Sequence, residues 1–244
     1  MKGRILLGIF LAFAGFTGSA GAVGPVDVSA EVSVMSKYLW RGVALNEDPV
    51  FQPSIMLGVG GVSFNIWGNM DLSDYQDKKF HLTETDYTLD YTLELPLLSL
   101  SAGALRYQFQ DLPGYTATTE LYIGAESSLP GGPSLKIYQD VDKGEGAYVE
   151  AGVSHALPVT PFASLEMSAS LGWGSSMHNR FNYGLDGMGG AFTDFTLGAG
   201  LPIGLGETIS VTPSFLWVSC INSDMRKEFD KNHVVFGLTA SAEF

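Results

Sequence analysis

Residues 83–95 read TETDYTLDYTLEL, with Tyr87, Leu89, Tyr91, Leu93 and Leu95 on one parity and Glu84, Asp86, Asp90 and Glu94 on the other. Successive side chains of an extended chain point to opposite faces, so this is a strand with one apolar side and one acidic side. The pattern recurs at residues 26–34, where Val26, Val28, Ala30, Val32 and Val34 alternate with Asp27, Ser29, Glu31 and Ser33. Phe51, Ile55, Leu57 and Val59 repeat it, as do Val62, Phe64 and Ile66. Further strands are read near 99–110, 117–128, 134–142, 146–157, 162–174, 191–203, 207–219 and 233–244, which makes twelve.

The joints sort by length. Short ones carry Gly60-Gly61, LPLL (95–98), LPGGP (129–133), LPVTP (157–161) and LPIGLG (201–206). Between them fall longer polar segments: VALNEDP, LSDYQDKKFHL, DLPGYTA, DVDKGEG, SSMHNRFNYGLDGMGG and INSDMRKEFDKN. Short and long alternate strictly, which puts tight turns at one rim of an up-and-down barrel and long loops at the other. The sequence therefore predicts an all-β fold: a single antiparallel up-and-down transmembrane β-barrel of about 12 strands, with 10 or 14 as alternative counts. Apolar parity faces lipid and polar parity faces a wet lumen.

Composition agrees. Residues 1–22 carry Lys2 and Arg4, an apolar run ILLGIFLAFAGF and a closing Ala20-Gly21-Ala22, the pattern of a cleaved secretory signal peptide. The domain is then 23–244, with 11 basic against 26 acidic residues, a net charge of about −15. Such acidity argues against nucleic acid as a partner. One cysteine, Cys220, excludes an internal disulfide. No later apolar run reaches the length of a membrane helix. An exported, apolar-rich chain of this kind is expected in the bacterial outer membrane.

Tyr38 and Trp40, at the end of the first strand, with Phe51, Tyr87, Tyr107, Phe109, Trp173 and Trp217 near the same rim, are expected to form an aromatic girdle at headgroup depth. Trp67 has the opposite parity and is expected to point inward. LSAGALRYQFQ changes parity part way, which predicts a bulge around Gly103. Expected lumen-lining acids are Asp27, Glu31, Asp86, Asp90, Glu94, Glu120, Glu126 and Glu150; expected bases are Lys37, Arg41 and Lys136. A wall of one sign selects ions of the other, so cations or neutral solutes are favoured over anions. Pairing of these charges could instead seal the lumen. Twelve strands lie between filled and open barrels, so both states stay open.

The segment Ser36-Lys37-Tyr38-Leu39-Trp40-Arg41-Gly42, followed by a polar loop with Pro49, resembles the opening of TorF-type porins. The resemblance covers the domain and implies an outer-membrane barrel that forms a pore. It matches Tyr38, Arg41 and Gly42 without assigning them a role. The final strand VVFGLTASAEF ends in Phe244, similar to the terminal signal read by the barrel assembly machinery. That machinery, the lipid bilayer, lipopolysaccharide and small solutes are the expected partners.

Enzymatic and metal readings find little. Ser154 and His155 are neighbours on opposite faces of a strand; Ser175, Ser176 and His178 share a loop with no evident carboxylate. His81 and His233 lie beside loops. No G-x-S-x-G elbow occurs. Asp71, Asp74 and Asp77, or Asp140, Asp142 and Glu145, offer carboxylate oxygens without a calcium-loop spacing. No catalytic residue and no cofactor is expected. Three functions follow in order: a narrow diffusion channel filtered by the long loops near 69–82 and 175–190, a non-conducting surface-binding barrel, and a rim lipid hydrolase.

Overall fold

The computed structural model describes residues 26–110, 112 and 114–244. The expected signal peptide lies outside the described residues. Twelve strands form the wall: β1 (Asp27–Met35), β2 (Val50–Val59), β3 (Val62–Asp71), β4 (Leu82–Glu94), β5 (Leu98–Phe109), β6 (Thr118–Ser127), β7 (Ser134–Asp140), β8 (Ala147–Thr160), β9 (Ala163–Gly174), β10 (Ala191–Gly200), β11 (Ile209–Cys220) and β12 (Asn232–Glu243). Each pairs antiparallel with its chain neighbours, and β12 pairs back onto β1 through Val34↔Leu238 and Val32↔Ala240. The barrel is closed, so the wall has no free edge.

Parity behaves as alternation demands. Outward positions are apolar and solvent-accessible, among them Val34, Ile55, Leu89, Ile123, Val153 and Phe236. Inward positions of the wall carry Ser29, Gln52, Asn65, Asp90, Glu120 and Thr196, all buried. Phe51, Tyr87, Trp173 and Trp217 point outward in the halves of their strands nearest the long loops, and Trp217 meets Phe195 edge-on at 6.1 Å.

Two readings of strand parity are corrected. β5 runs unbroken in register against both β4 and β6, so there is no bulge at Gly103. Gly103 faces inward because a Cβ there would lie 2.4 Å from the Tyr122 hydroxyl, which crosses it. Leu105 and Tyr107 on the same inward face are 3% and 4% exposed. Tyr107 meets a second layer of chain there, the Trp40 ring edge-on at 6.1 Å. Register shifts lie instead at Asn69/Met70 opposite β4, at Pro158/Thr160 opposite β9 and at Gly172/Trp173 opposite β10.

The second correction concerns Tyr38 and Trp40, which do not belong to a girdle. The 36–49 segment turns into the barrel as a small hairpin, Tyr38–Trp40 paired with Val43–Asn46, and Tyr38 is buried. Its strands carry apolar residues on both faces because both faces meet protein.

Lipid contact makes the outward face intolerant of charge. Leu89→Arg, near the middle of β4, should cost about 2–4 kcal/mol of bilayer folding stability, far more than Leu89→Ala. Denaturant titration in lipid vesicles measures both.

Candidate functional site

The inward hairpin is the centre of the site. Its turn is Arg41-Gly42, with φ of 44° and 88°. Positive φ at both central residues is the two-residue turn whose twist matches that of a hairpin. Gly42 is needed twice over, since a Cβ there would also meet the Asp194 Cβ at 2.6 Å. On one side Tyr38 packs with Met35, Val50, Leu216, Val218 and Val235; on the other Val43 packs with Tyr183, Met188, Cys220 and Met225.

The turn carries Arg41 into the wall. Its guanidinium donates Nη1 to Glu120 Oε1 and Nη2 to Glu120 Oε2, both at 2.7 Å. Both side chains are 3% exposed. The Tyr107 hydroxyl donates to Glu120 Oε2 at 2.9 Å and fixes the carboxylate from the other side. Three rings surround the cation: Tyr148 at 4.2 Å, Trp40 at 4.5 Å and Tyr138 at 4.8 Å. A bidentate pair in a ring-lined, water-poor setting is the geometry for which arginine is suited.

The long-loop segment 175–190 reinforces the latch. It is expected as a filtering loop; it contains an α-helix, α1 (Ser176–Tyr183), capped by Ser175 and closed by Gly184 at φ 67°. The Tyr183 hydroxyl donates to the Arg41 carbonyl at 2.9 Å. His178, 1% exposed, stacks on Trp40 and lies against Tyr148. Its Nδ1 faces the Asn182 amide at 3.0 Å, and Ser175 Oγ accepts the His178 backbone N–H at 3.3 Å. The Ser175 hydroxyl is thus spent on a helix cap, and the imidazole on a ring stack. The loop after β3 stays at the rim, where Leu72 N–H donates to the Pro49 carbonyl and Ser73 to Asp48.

The expected lining residues divide. Arg41 and Glu120 belong to the latch, and Asp86 is buried at its level on β4. Lys37 pairs with Glu47 in the hairpin's base. Glu31, Asp90, Glu94 and Lys136 turn inward nearer the short turns, whereas Glu150 turns inward near the long-loop end of β8, beside the hairpin. Asp90 accepts from the Tyr122 hydroxyl, Glu94 from Ser99, and the Lys136 ammonium lies 4.8 Å from the Tyr122 ring. The facing wall of β9–β12 carries small polar groups: Ser168, Ser170, Thr196 and the Ser210–Ser241 pair. A cavity of about 60 Å³ lies beside the hairpin, lined in part by Arg41, Tyr148, Glu150, Asp194 and Thr196.

Sequence reading placed Tyr107 in the girdle, whereas it faces inward and holds Glu120, and it passed over Tyr138, Tyr148, Asp194 and Tyr183. The available signal was tyrosine on lumen parity in neighbouring strands, which polar lining alone does not require. The acidic loop around Asp140 is structural: Asp140 Oδ1 accepts the backbone N–H groups of Asp142, Gly144 and Glu145. Asp142 pairs with Arg106.

No protein-family model and no curated protein matches the sequence. Among solved structures, the chain is similar to the KdgM porin in complex with disordered oligogalacturonate. The TM-score is 0.55 at 7% identity, covering 89% of this chain and 99% of that one. The COG4313 outer membrane channel from Pseudomonas putida F1 gives 0.51 at 9% identity over 94% and 100% of the two chains. The NanC porin gives 0.51 at 7% over 89% and 99%. At such identity the likeness is one of fold.

Breaking a buried ion pair by removing one partner costs about 3–5 kcal/mol. Glu120→Ala should therefore raise amide exchange across residues 38–46 by about a hundredfold or more while the wall amides stay protected. Acid should loosen the packing of α1 on the hairpin. Burial first, and the Arg41 charge second, push the His178 imidazole well below its ordinary range. The free imidazole titrates near pH 6.5, so the His178 contribution is full above about pH 6.5 and is lost as the pH falls below it. Exchange at 176–183, corrected for intrinsic rate, should rise between about pH 7 and pH 5 and lose that dependence in His178→Gln.

Proposed function

We propose that the protein is a narrow outer-membrane diffusion channel, described here with its outer mouth closed by the latched hairpin. The observation that carries this reading is how the lumen is blocked. A separate two-stranded segment enters it near the long loops and is held by one ion pair at its tip. Nearer the short turns, the inner wall offers carboxylates and small hydroxyls that suit a wet path. The fold likeness to porins and the resemblance to TorF-type porins support the same reading, as does the apolar outer belt. In this reading the long loops face outward from the cell, where lipopolysaccharide is the neighbour, and the short turns face the periplasm.

Asp90, Glu94, Glu126 and Glu150 outnumber Lys136 on the inner wall of β4–β8, so the path favours cations or neutral solutes. The filter is the 36–49 hairpin backed by α1, in place of two flexible loops. A second reading, a permanently closed barrel that binds partners at its surface, draws on the hairpin's apolar packing on both faces.

Planar-bilayer recording separates the two. The unmodified protein should show small or infrequent conductance steps and Arg41→Ala larger, more frequent ones, with reversal potentials in a KCl gradient on the cation side. Silence from both folded proteins selects the closed barrel; anion-side potentials overturn the selectivity.

A further inference from the structure

The groups around Arg41 make a complete receptor for a planar cation. A carboxylate offers two acceptors in the plane of the guanidinium, a tyrosine hydroxyl holds that carboxylate from behind, and three rings close on the cation from 4.2 to 4.8 Å. Each component favours a delocalised cation, and together they favour one that hydrogen-bonds in a fork. Of these groups, Glu120, Tyr107, Tyr138 and Tyr148 belong to the rigid wall, and only Arg41 and Trp40 belong to the hairpin.

The occupant fits imperfectly. Arg41 sits at φ 44°, a left-handed conformation that side-chain-bearing residues rarely adopt. Its Nε–H is buried without an acceptor. A free cation of the same shape would not carry the backbone penalty. Departure of Arg41 alone would leave Glu120, 2% exposed, as an uncompensated charge among rings. The hairpin therefore leaves most readily when another cation takes its place.

We infer that the Glu120 cage is a binding site for solutes bearing a guanidinium or a similar planar, hydrogen-bonding cationic head, with Arg41 as its tethered occupant in the closed barrel. Such a solute opens the path by exchange: its head enters the cage, Arg41 and the hairpin are released, and the acidic wall beyond accepts the cation. The exchange forms and breaks no covalent bond. The opening step rests on the channel reading; occupancy of the cage does not.

Two measurements with methylguanidinium as the probe test it. In planar bilayers, millimolar methylguanidinium added on the long-loop side should raise the open fraction of the unmodified protein. Tetramethylammonium at equal ionic strength should do so about tenfold less, since it cannot hydrogen-bond to Glu120. Arg41→Lys should open at lower probe concentration, its single-point ammonium being the weaker competitor. In detergent, Arg41→Ala should bind methylguanidinium saturably, read from the fluorescence of Trp40 in the cage against a Trp40→Phe control. Arg41→Ala/Glu120→Gln should bind at least about tenfold more weakly. Equal binding by the single and double variants, or none by either, overturns the cage. Saturable binding that needs Glu120, with no conductance from any variant, keeps the cage and removes the channel reading. Equal opening by the two cations overturns the exchange.

Discussion

The structure depends first on the cost of an unpaired backbone group in hydrocarbon. Each such group costs several kcal/mol, so a sheet that enters a bilayer must close on itself. Here the closing seam joins β12 to β1, the last strand to the first. Once the seam is made, every side chain along the wall is assigned to lipid or lumen by parity alone. A one-residue slip of β1 at the seam would carry Asp27 and Glu31 to the lipid face, and that penalty fixes the register.

Closure leaves a second problem, the interior. A wall of twelve strands lies between barrels that side chains fill and barrels that hold a channel. The half nearest the short turns can be left to water, because its inner face is hydroxyl and carboxylate. The half nearest the long loops is different: Leu216, Val218 and Val235 lie on lumen parity and would face water in an empty barrel. The hairpin covers them. Its tip places a cation where the wall has placed Glu120, so hydrophobic packing and charge pairing locate the same segment independently.

The wall was legible in the sequence to within a few residues because its period of two is imposed by a physical boundary that every strand crosses. The alternation of short and long joints followed for the same reason. The hairpin was harder to read. SKYLWRG continues the apolar, aromatic character of β1, so Tyr38 and Trp40 resembled residues at a membrane interface. Their apolar surface does find an apolar partner, but that partner is protein. The contradiction was visible in β5, where LSAGALRYQFQ departs from its expected parity. A bulge would restore the lipid side; apolar chain inside the barrel explains the sequence without one. Tyr122, Tyr138 and Tyr148 on adjacent strands carry the same message, since a polar lumen gives no reason for three inward rings in a row. His178 was concealed differently: its position between Gly146, Trp40 and Tyr148 arises from contacts across distant parts of the chain, to which no local pattern corresponds.

Wall and latch also differ in what holds them, and the difference bears on function. Hydrogen bonds around the whole circumference hold the wall, so no single substitution among the latch residues removes its closure. Packing and one buried pair hold the hairpin, and buried pairs give little net stability compared with apolar replacements of the same shape. A latch built only to stay closed would gain from such a replacement. An ion pair has a different merit: its free energy depends on whether a competing charge is present, whereas apolar packing is indifferent to the solute outside. On the proposed channel reading, placing Arg41 and Glu120 at the tip makes that tip the part of the seal that responds to what arrives at the mouth.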